Sequence, residues 1–161
     1  MAGLFEGLNR LGVAASASKW GGVFYHVVCR RLDTVLIPLT KGRLSMGPPG
    51  QTVLITTKGA KSGKSRKASL AFMWRGDDLV VIASKGGAPH HPAWYHNLMA
   101  DPRLVTQTRA GIEDRVAREA LGEERDKLFE LMGTTYSNFA AYQERAGDRK
   151  IPVIILSPVL G

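Results

Sequence analysis

From Gln51 onward the strand-like runs of this chain follow one another in hairpin order, and that ordering restricts the fold more than any other feature. Thr52-Val53-Leu54-Ile55-Thr56-Thr57 is β-branched and reads as a strand. A glycine-bearing turn over Lys58 to Ser65 leads into a returning strand over Arg66 to Trp74. Gly76-Asp77-Asp78 turns again before Leu79-Val80-Val81-Ile82-Ala83, a short apolar run of the kind a buried strand shows. Arg103 to Arg109 and Ile112 to Ala120 form a further hairpin about Ala110-Gly111, and Ile151 to Leu156 closes the series. Helices are few between these strands. One is opened by Pro92, whose missing N–H is harmless in a first turn. Another runs from Glu123 to about Tyr142, acidic at its start as the helix dipole prefers. A doubly wound parallel sheet needs a helix between successive strands. The order here predicts a mainly β protein, an antiparallel barrel with peripheral helices.

Ahead of the barrel, Met1 to about Arg31 reads as two helical pieces divided near Gly21-Gly22. A connection rich in Pro and Gly follows over Thr34 to Gly50. The expected organisation is a helical extension with its connection, 1–49, and a barrel domain, 50–161, in one folded unit. The single cysteine, Cys29, excludes an internal disulfide and a Cys-rich metal centre. His90, His91 and His96 cluster without a carboxylate at ligand spacing, so no metal site is expected. Met1 to Arg10 lacks the basic start of an export signal, and Leu11 to Val28 is too polar for a spanning helix, which together predict a cytoplasmic chain. Leu4, Phe5, Leu8 and Leu11 share one helical face. Such a face suits packing on its own domain, pairing with a second copy, or peripheral contact with the inner face of an anionic membrane.

The charge of this chain is local. Between Thr34 and Gly76 stand eight basic residues and no Asp or Glu, leaving fourteen basic against fourteen acidic elsewhere and a formal net charge of +8. The densest part is Lys58-Gly59-Ala60-Lys61-Ser62-Gly63-Lys64-Ser65-Arg66-Lys67. Cations packed this closely repel one another, and a polyanion brought to them converts repulsion into attraction. The stretch resembles a phosphate-cradling P-loop without being one. Three residues separate Gly59 from Gly63 where four are needed, Lys58 stands where the first glycine belongs, and a strand follows where a helix is required. What it can do is present Lys58, Lys61, Lys64 and Arg66 at a barrel rim, with Gly59 and Gly63 letting the backbone approach an anion.

A second anion-binding arrangement lies at Ala83-Ser84-Lys85-Gly86-Gly87, where a hydroxyl, a cation and two glycines end a buried strand. It leads into Pro92-Ala93-Trp94-Tyr95-His96-Asn97-Leu98, a helix start carrying two aromatic residues. Together the two segments suit a ligand with an anionic tail and a flat ring system. A basic rim with aromatics also suits single-stranded nucleic acid. Aromatic residues make up only 7% of the chain and its glycines cluster with the cations, so a nucleic-acid partner is not expected. No G-x-S-x-G elbow supports a serine hydrolase.

The segments 53–66, 83–87 and 92–98, in this order and spacing, resemble the deazaflavin-dependent nitroreductase family, actinobacterial reductases that use the reduced coenzyme F420. The likeness runs from about Gln51 to Pro158. It implies a split β-barrel like that of FMN-binding oxidases, and a hydride transfer from the reduced deazaflavin to a quinone, an activated enone or a nitro compound. It further implies that Lys61 and Arg66, with Lys58, Ser62, Gly63 and Lys64 about them, receive the coenzyme's phosphate and oligoglutamate tail. Ala83, Ser84, Lys85, Gly86 and Gly87 would run along the phosphate and ring, and Pro92, Ala93, Trp94 and Asn97 would close over it. The substrate side falls on Tyr136, Phe139 and Tyr142, which at three-residue spacing read equally as a core-facing stripe. Phe139 departs from a tyrosine of the family pattern, which weakens the case for nitro reduction and leaves quinone or enone reduction open. Ser84, Tyr136 and Tyr142 are the candidates for stabilising the anion left by hydride transfer, and no catalytic acid is singled out. Two other readings keep the barrel: an FMN-dependent reductase, and a non-catalytic basic barrel for nucleic acid or lipid.

Overall fold

The computed structural model describes residues 19–48 and 50–159, with side chains from Val28 onward. The helical face expected over Leu4, Phe5, Leu8 and Leu11 lies outside the described residues. In chain order the elements are α1 Lys19–Leu39, β1 Thr52–Lys58, β2 Ser65–Arg75, β3 Asp78–Ile82, α2 Ala93–Ala100, β4 Arg103–Gln107, β5 Ile112–Ala120, α3 Gly122–Thr135, α4 Asn138–Arg145 and β6 Val153–Pro158. A one-turn 3-10 segment, Lys85–Gly87, follows β3.

The strands close into a six-stranded barrel in the order β1-β2-β3-β6-β5-β4, and every neighbouring pair is antiparallel. Alternate residues fill the interior: Val53 and Ile55 of β1, Leu70 and Phe72 of β2, Leu79 and Val81 of β3, Ile154 and Leu156 of β6. The intervening Val80, Ile82, Val153 and Ile155 face outward and are covered by Leu128 and Met132 of α3 and Phe139 of α4. β3 and β6 are thus buried on both faces, which is why their sequences are unbroken apolar runs instead of alternating ones. Each such side chain contributes about 1.5–3 kcal/mol relative to exposure.

Two helical expectations differ from the fold. α1 does not divide at Gly21-Gly22 but continues to Leu39, taking the first residues of the segment read as a connection. Glycine costs about 1 kcal/mol in a helix interior, and burial of Cys29, Asp33 and Ile37 on one face of α1 outweighs it. Asp33 accepts hydrogen bonds from Ser69 Oγ of β2 at 2.8 Å and from the Met46 amide at 2.6 Å, fixing α1 to the barrel wall. Burial raises the pKa of this carboxyl, while those two hydrogen bonds and nearby Arg30 act against the rise. The helix read as continuous from Glu123 to Tyr142 is interrupted at Tyr136-Ser137. The Tyr136 hydroxyl is tied to Gln51 Oε1 (2.9 Å) and to the Phe72 carbonyl (3.1 Å). That tether holds Tyr136 out of helical backbone (φ −129°, ψ 92°), and α4 restarts with Phe139 turned into the core.

Register sets where the site falls. β2 and β3 pair from Arg75 opposite Asp78 to Phe72 opposite Val81, so β3 runs toward the end of β2 at which Ser65 stands. From Phe72, the last residue paired with β3, Ser65 at the end of the β1–β2 turn lies about 23 Å along the strand at ~3.3 Å per residue. The end of β3 therefore returns toward the rim that carries the β1–β2 turn.

Candidate functional site

The β1–β2 turn is shaped by its own backbone. The Gly59 amide donates to the Lys64 carbonyl (2.9 Å) and the Gly63 amide to the Gly59 carbonyl (2.7 Å), with Gly63 at φ +64°. Lys58, Lys61, Ser62, Gly63, Lys64 and Arg66 are all exposed. None of the four cations forms an ion pair among the described residues. Ser62 Oγ lies 3.5 Å from Arg66 Nη2, a weak hold on that guanidinium.

Asn97 joins this turn to α2. Its Oδ1 accepts the Ala60 amide at 3.0 Å and its Nδ2 donates to Thr57 Oγ1 at 3.1 Å. Buried, with a hydrogen bond at each end of its amide, Asn97 holds the turn in place. Trp94, one helical turn earlier, is also inward. It is only 7% exposed, within the barrel-interior cluster that includes Phe72, Ala83 and Leu98. Pro92 caps α2 in extended conformation and is buried, while Ala93 is exposed. The helix thus connects the cationic turn, the barrel interior and the segment at the end of β3.

That segment has an unusual backbone. Ser84 is right-handed (φ −70°, ψ −40°), and Lys85, Gly86 and Gly87 all have positive φ (+49°, +65°, +79°). A right-handed residue followed by a left-handed one turns successive amides into a shared concavity that suits an anion. For Lys85, which has a Cβ, the conformation costs about 1–2 kcal/mol, and a strained residue of this kind points to a function. Ala83 and Ser84 are buried, whereas the Lys85 side chain is exposed.

The residues expected on the substrate side separate. Phe139 is buried between Phe129 (ring centroids 6.3 Å apart), Tyr136 (5.9 Å) and Tyr142 (5.9 Å), as a core residue. Tyr136 has its hydroxyl committed to Gln51 and Phe72, and burial pushes its pKa up to about 12, away from service as an acid at neutral pH. Tyr142 is half-buried and lies directly against the 3-10 segment: a Cβ on Gly87 would stand 2.6 Å from the Tyr142 carbonyl oxygen. Arg30 of α1 lies within electrostatic reach of Tyr142. Burial lowers its pKa, while Tyr142 and Asp33 favour its charged form. Of the three candidates for stabilising a product anion, Ser84 and Tyr142 lie at the end of β3, and Tyr136 is tied to the start of β1.

Two arginines to which the sequence assigns no role complete the region, Arg145 and Arg149, the latter opening the Arg149-Lys150-Ile151-Pro152-Val153 ending of the family likeness. Arg145 Nη1 donates to the Gly86 carbonyl at 2.9 Å, and Arg149 reaches several carbonyls of the same stretch. Their partners are 59 to 66 residues away in sequence. Only the cations at the end of α4 and just after it, Arg145 and Arg149, could have hinted at them. Among the described residues no group of three His, Cys, Asp or Glu could hold a metal ion.

This closed antiparallel barrel with its peripheral helices is a split barrel, the fold of a solved F420-H2 dependent reductase. Residues 31–158 match the model of the F420H(2)-dependent quinone reductase family, and the chain belongs to that family. It is an F420H2-dependent oxidoreductase. It is 33% identical over 148 residues to an F420H(2)-dependent quinone reductase of Mycobacterium tuberculosis, covering 87% of this chain and 97% of the relative. Among solved structures it resembles an F420-H2 dependent reductase (FDR-A) at 42% identity and a TM-score of 0.61, over 66% of this chain and 94% of that one. A structure described as a domain-swapped dimer matches at 38% identity and a TM-score of 0.65, over 79% and 94% of the two chains.

Proposed function

We propose that this protein passes a hydride from reduced coenzyme F420 to a small electron acceptor of the quinone class, with the coenzyme lying along one rim of the barrel. The coenzyme, when bound, supplies the hydride, and the protein supplies binding, orientation and electrostatics. The observation that carries this reading is the left-handed Lys85 backbone ahead of the N-terminus of α2 together with a turn of exposed cations that Asn97 of the same helix holds. The Ser84 and Lys85 amides and the Lys85 ammonium suit a phosphate, with Gly86 admitting the ligand close to the backbone and Gly87 letting α4 pack against the segment. Lys61 and Arg66, supported by Lys58 and Lys64, suit the carboxylates of an oligoglutamate tail that stays partly hydrated, which avoids the cost of burying charge. Ser84, buried at the end of β3, and Tyr142, half-buried against the 3-10 segment, are our candidates for meeting the oxyanion that hydride transfer leaves on a quinone.

Titration of the purified protein with the coenzyme tests the tail assignment. Lys61→Glu and Arg66→Glu are each expected to weaken binding about tenfold, near 1.4 kcal/mol, the scale of one charge-assisted contact. Turnover at saturating coenzyme should stay within a factor of two. Unaltered binding in both variants would overturn the assignment.

The acceptor side extends to α1. Val28, Leu32, Val35 and Leu39 recur at helical spacing along one face and are 36%, 46%, 56% and 76% exposed. The exposed cations Arg31, Lys41 and Arg43 flank this stripe. An apolar face bordered by cations suits the headgroup region of an anionic bilayer, where quinones dissolve. Pairing two copies through it would set like charges together. No described helix is long and apolar enough to cross a membrane, so the contact would be peripheral, at the inner face for a cytoplasmic chain. Co-sedimentation should show binding to vesicles containing anionic lipid, lost with Leu32→Glu/Val35→Glu and weakened by salt. No binding, with a dimer mass by light scattering, would give the stripe to a second copy instead, the homodimer to which the domain-swapped relative points.

A further inference from the structure

Arg149 lies between α4 and β6, and its guanidinium makes no ion pair with a carboxylate among the described residues. Its donors go to one short stretch of backbone. Nε donates to the Ala88 carbonyl (2.8 Å), Nη1 to the Ala83 carbonyl (3.2 Å) and Nη2 to the Ser84 carbonyl (2.8 Å). Nη1 also stands 3.2 Å from His91 Nδ1. The arginine is itself held in place. Gln143 Nε2 donates to the Arg149 carbonyl (2.9 Å), while Gln143 Oε1 accepts from the Ile151 amide (3.0 Å) and from Arg125 Nη2 (3.0 Å). Arg125 in turn lies over the Phe129 ring at 4.2 Å.

The consequence follows from peptide geometry. A planar trans peptide points its N–H opposite to its carbonyl, and the described residues contain no cis bond. Drawing the Ala83 carbonyl toward Arg149 turns the Ser84 amide away from it, and drawing the Ser84 carbonyl does the same to the Lys85 amide. The planar fork of five donors can span three carbonyls at once, which a lysine ammonium cannot.

We propose that Arg149 is a positioning residue for coenzyme binding: by taking up the carbonyls of Ala83, Ser84 and Ala88 from behind, it holds the Ser84 and Lys85 amides toward the coenzyme's phosphate. The proposal rests on the reading that the Ser84–Gly87 segment receives that phosphate. Arg149 touches neither coenzyme nor acceptor and acts only through the backbone it holds.

The test compares Arg149→Lys with Lys85→Glu in the full chain, reading the dissociation constant for F420 and kcat at saturating coenzyme. Arg149→Lys is expected to raise the dissociation constant at least tenfold and to change kcat less than twofold. Guanidinium at non-denaturing concentration should restore much of the affinity to Arg149→Ala, a rescue that general loss of structure would not show. Unchanged affinity in Arg149→Lys alongside loss in Lys85→Glu overturns the role of Arg149 and leaves the phosphate reading standing. Unchanged affinity in Lys85→Glu overturns both. If neither Arg149 variant folds, inorganic phosphate titrated into the unmodified protein should still shift the amide resonances of Ser84 and Lys85. Amides that do not move overturn the proposal.

Discussion

Gly87→Ala is expected to cost this protein about 3 kcal/mol or more of stability and most of its coenzyme affinity, while Gly86→Ala beside it costs about 1 kcal/mol. Both glycines have positive φ, +65° at Gly86 and +79° at Gly87, so both substitutions pay the left-handed penalty. The difference lies in what a Cβ would meet. At Gly86 nothing stands within 4 Å. At Gly87 the new atom would lie 2.6 Å from the Tyr142 carbonyl oxygen, 2.9 Å from Arg145 Cβ and 3.1 Å from Tyr142 Cα. Two of those are backbone atoms of α4, which cannot swing aside as a side-chain tip can. Relief requires α4 to lift off the 3-10 segment, and Arg145 would then lose its hold on the Gly86 carbonyl. Thermal melting reads the stability and titration the affinity. Equal effects of the two alanines would show that the close packing of α4 on this segment does not matter.

Asn97→Leu is the second large effect expected. The leucine fills most of the space but offers no hydrogen bond, leaving Thr57 Oγ1 and the Ala60 amide without the partners they now have at 3.1 and 3.0 Å. Stranding a buried polar group such as the Thr57 hydroxyl costs about 1–3 kcal/mol, a fall in Tm of roughly 2–4 °C for each kcal/mol in a domain of this size; the Ala60 amide, in an exposed residue, can turn to water. The functional consequence is separable from the stability. With the tie to α2 cut, the cationic turn loses its fixed place, and coenzyme affinity should fall by more than it does in Lys61→Glu alone. Asn97→Asp gives a useful contrast. A carboxylate keeps the acceptor for Ala60, loses the donor to Thr57, and adds a negative charge beneath the cations. Wild-type affinity in Asn97→Leu would separate the turn from the site.

The barrel was legible because its signals are local. β-branched runs, glycine turns and a hairpin order leave little choice of topology, and the doubly apolar β3 and β6 announce helices on their outer face. The three segments of the family pattern were legible for the same reason. What the side chains in them do was less so. Trp94 and Asn97 belong to a motif that suggests a cover over the coenzyme, yet Trp94 fills the barrel interior and Asn97 spends both ends of its amide on the turn. Phe139 carries the same ambiguity, and the fold gives it to the core. α1 ran past Gly21-Gly22 because helix propensity is weak against tertiary burial. The break before α4 depends on a tyrosine hydroxyl meeting Gln51, 85 residues away. Arg149 was hidden most completely, since its partners are backbone carbonyls that any sequence possesses.

Amide hydrogen exchange, recorded with and without saturating oxidised F420, tests most directly whether one elongated anion spans both segments. The account predicts slowed exchange in residues 59–66 and in 84–87 together, appearing at the same coenzyme concentration. Protection confined to either segment, or midpoints that differ between them, would contradict a single ligand held along this rim.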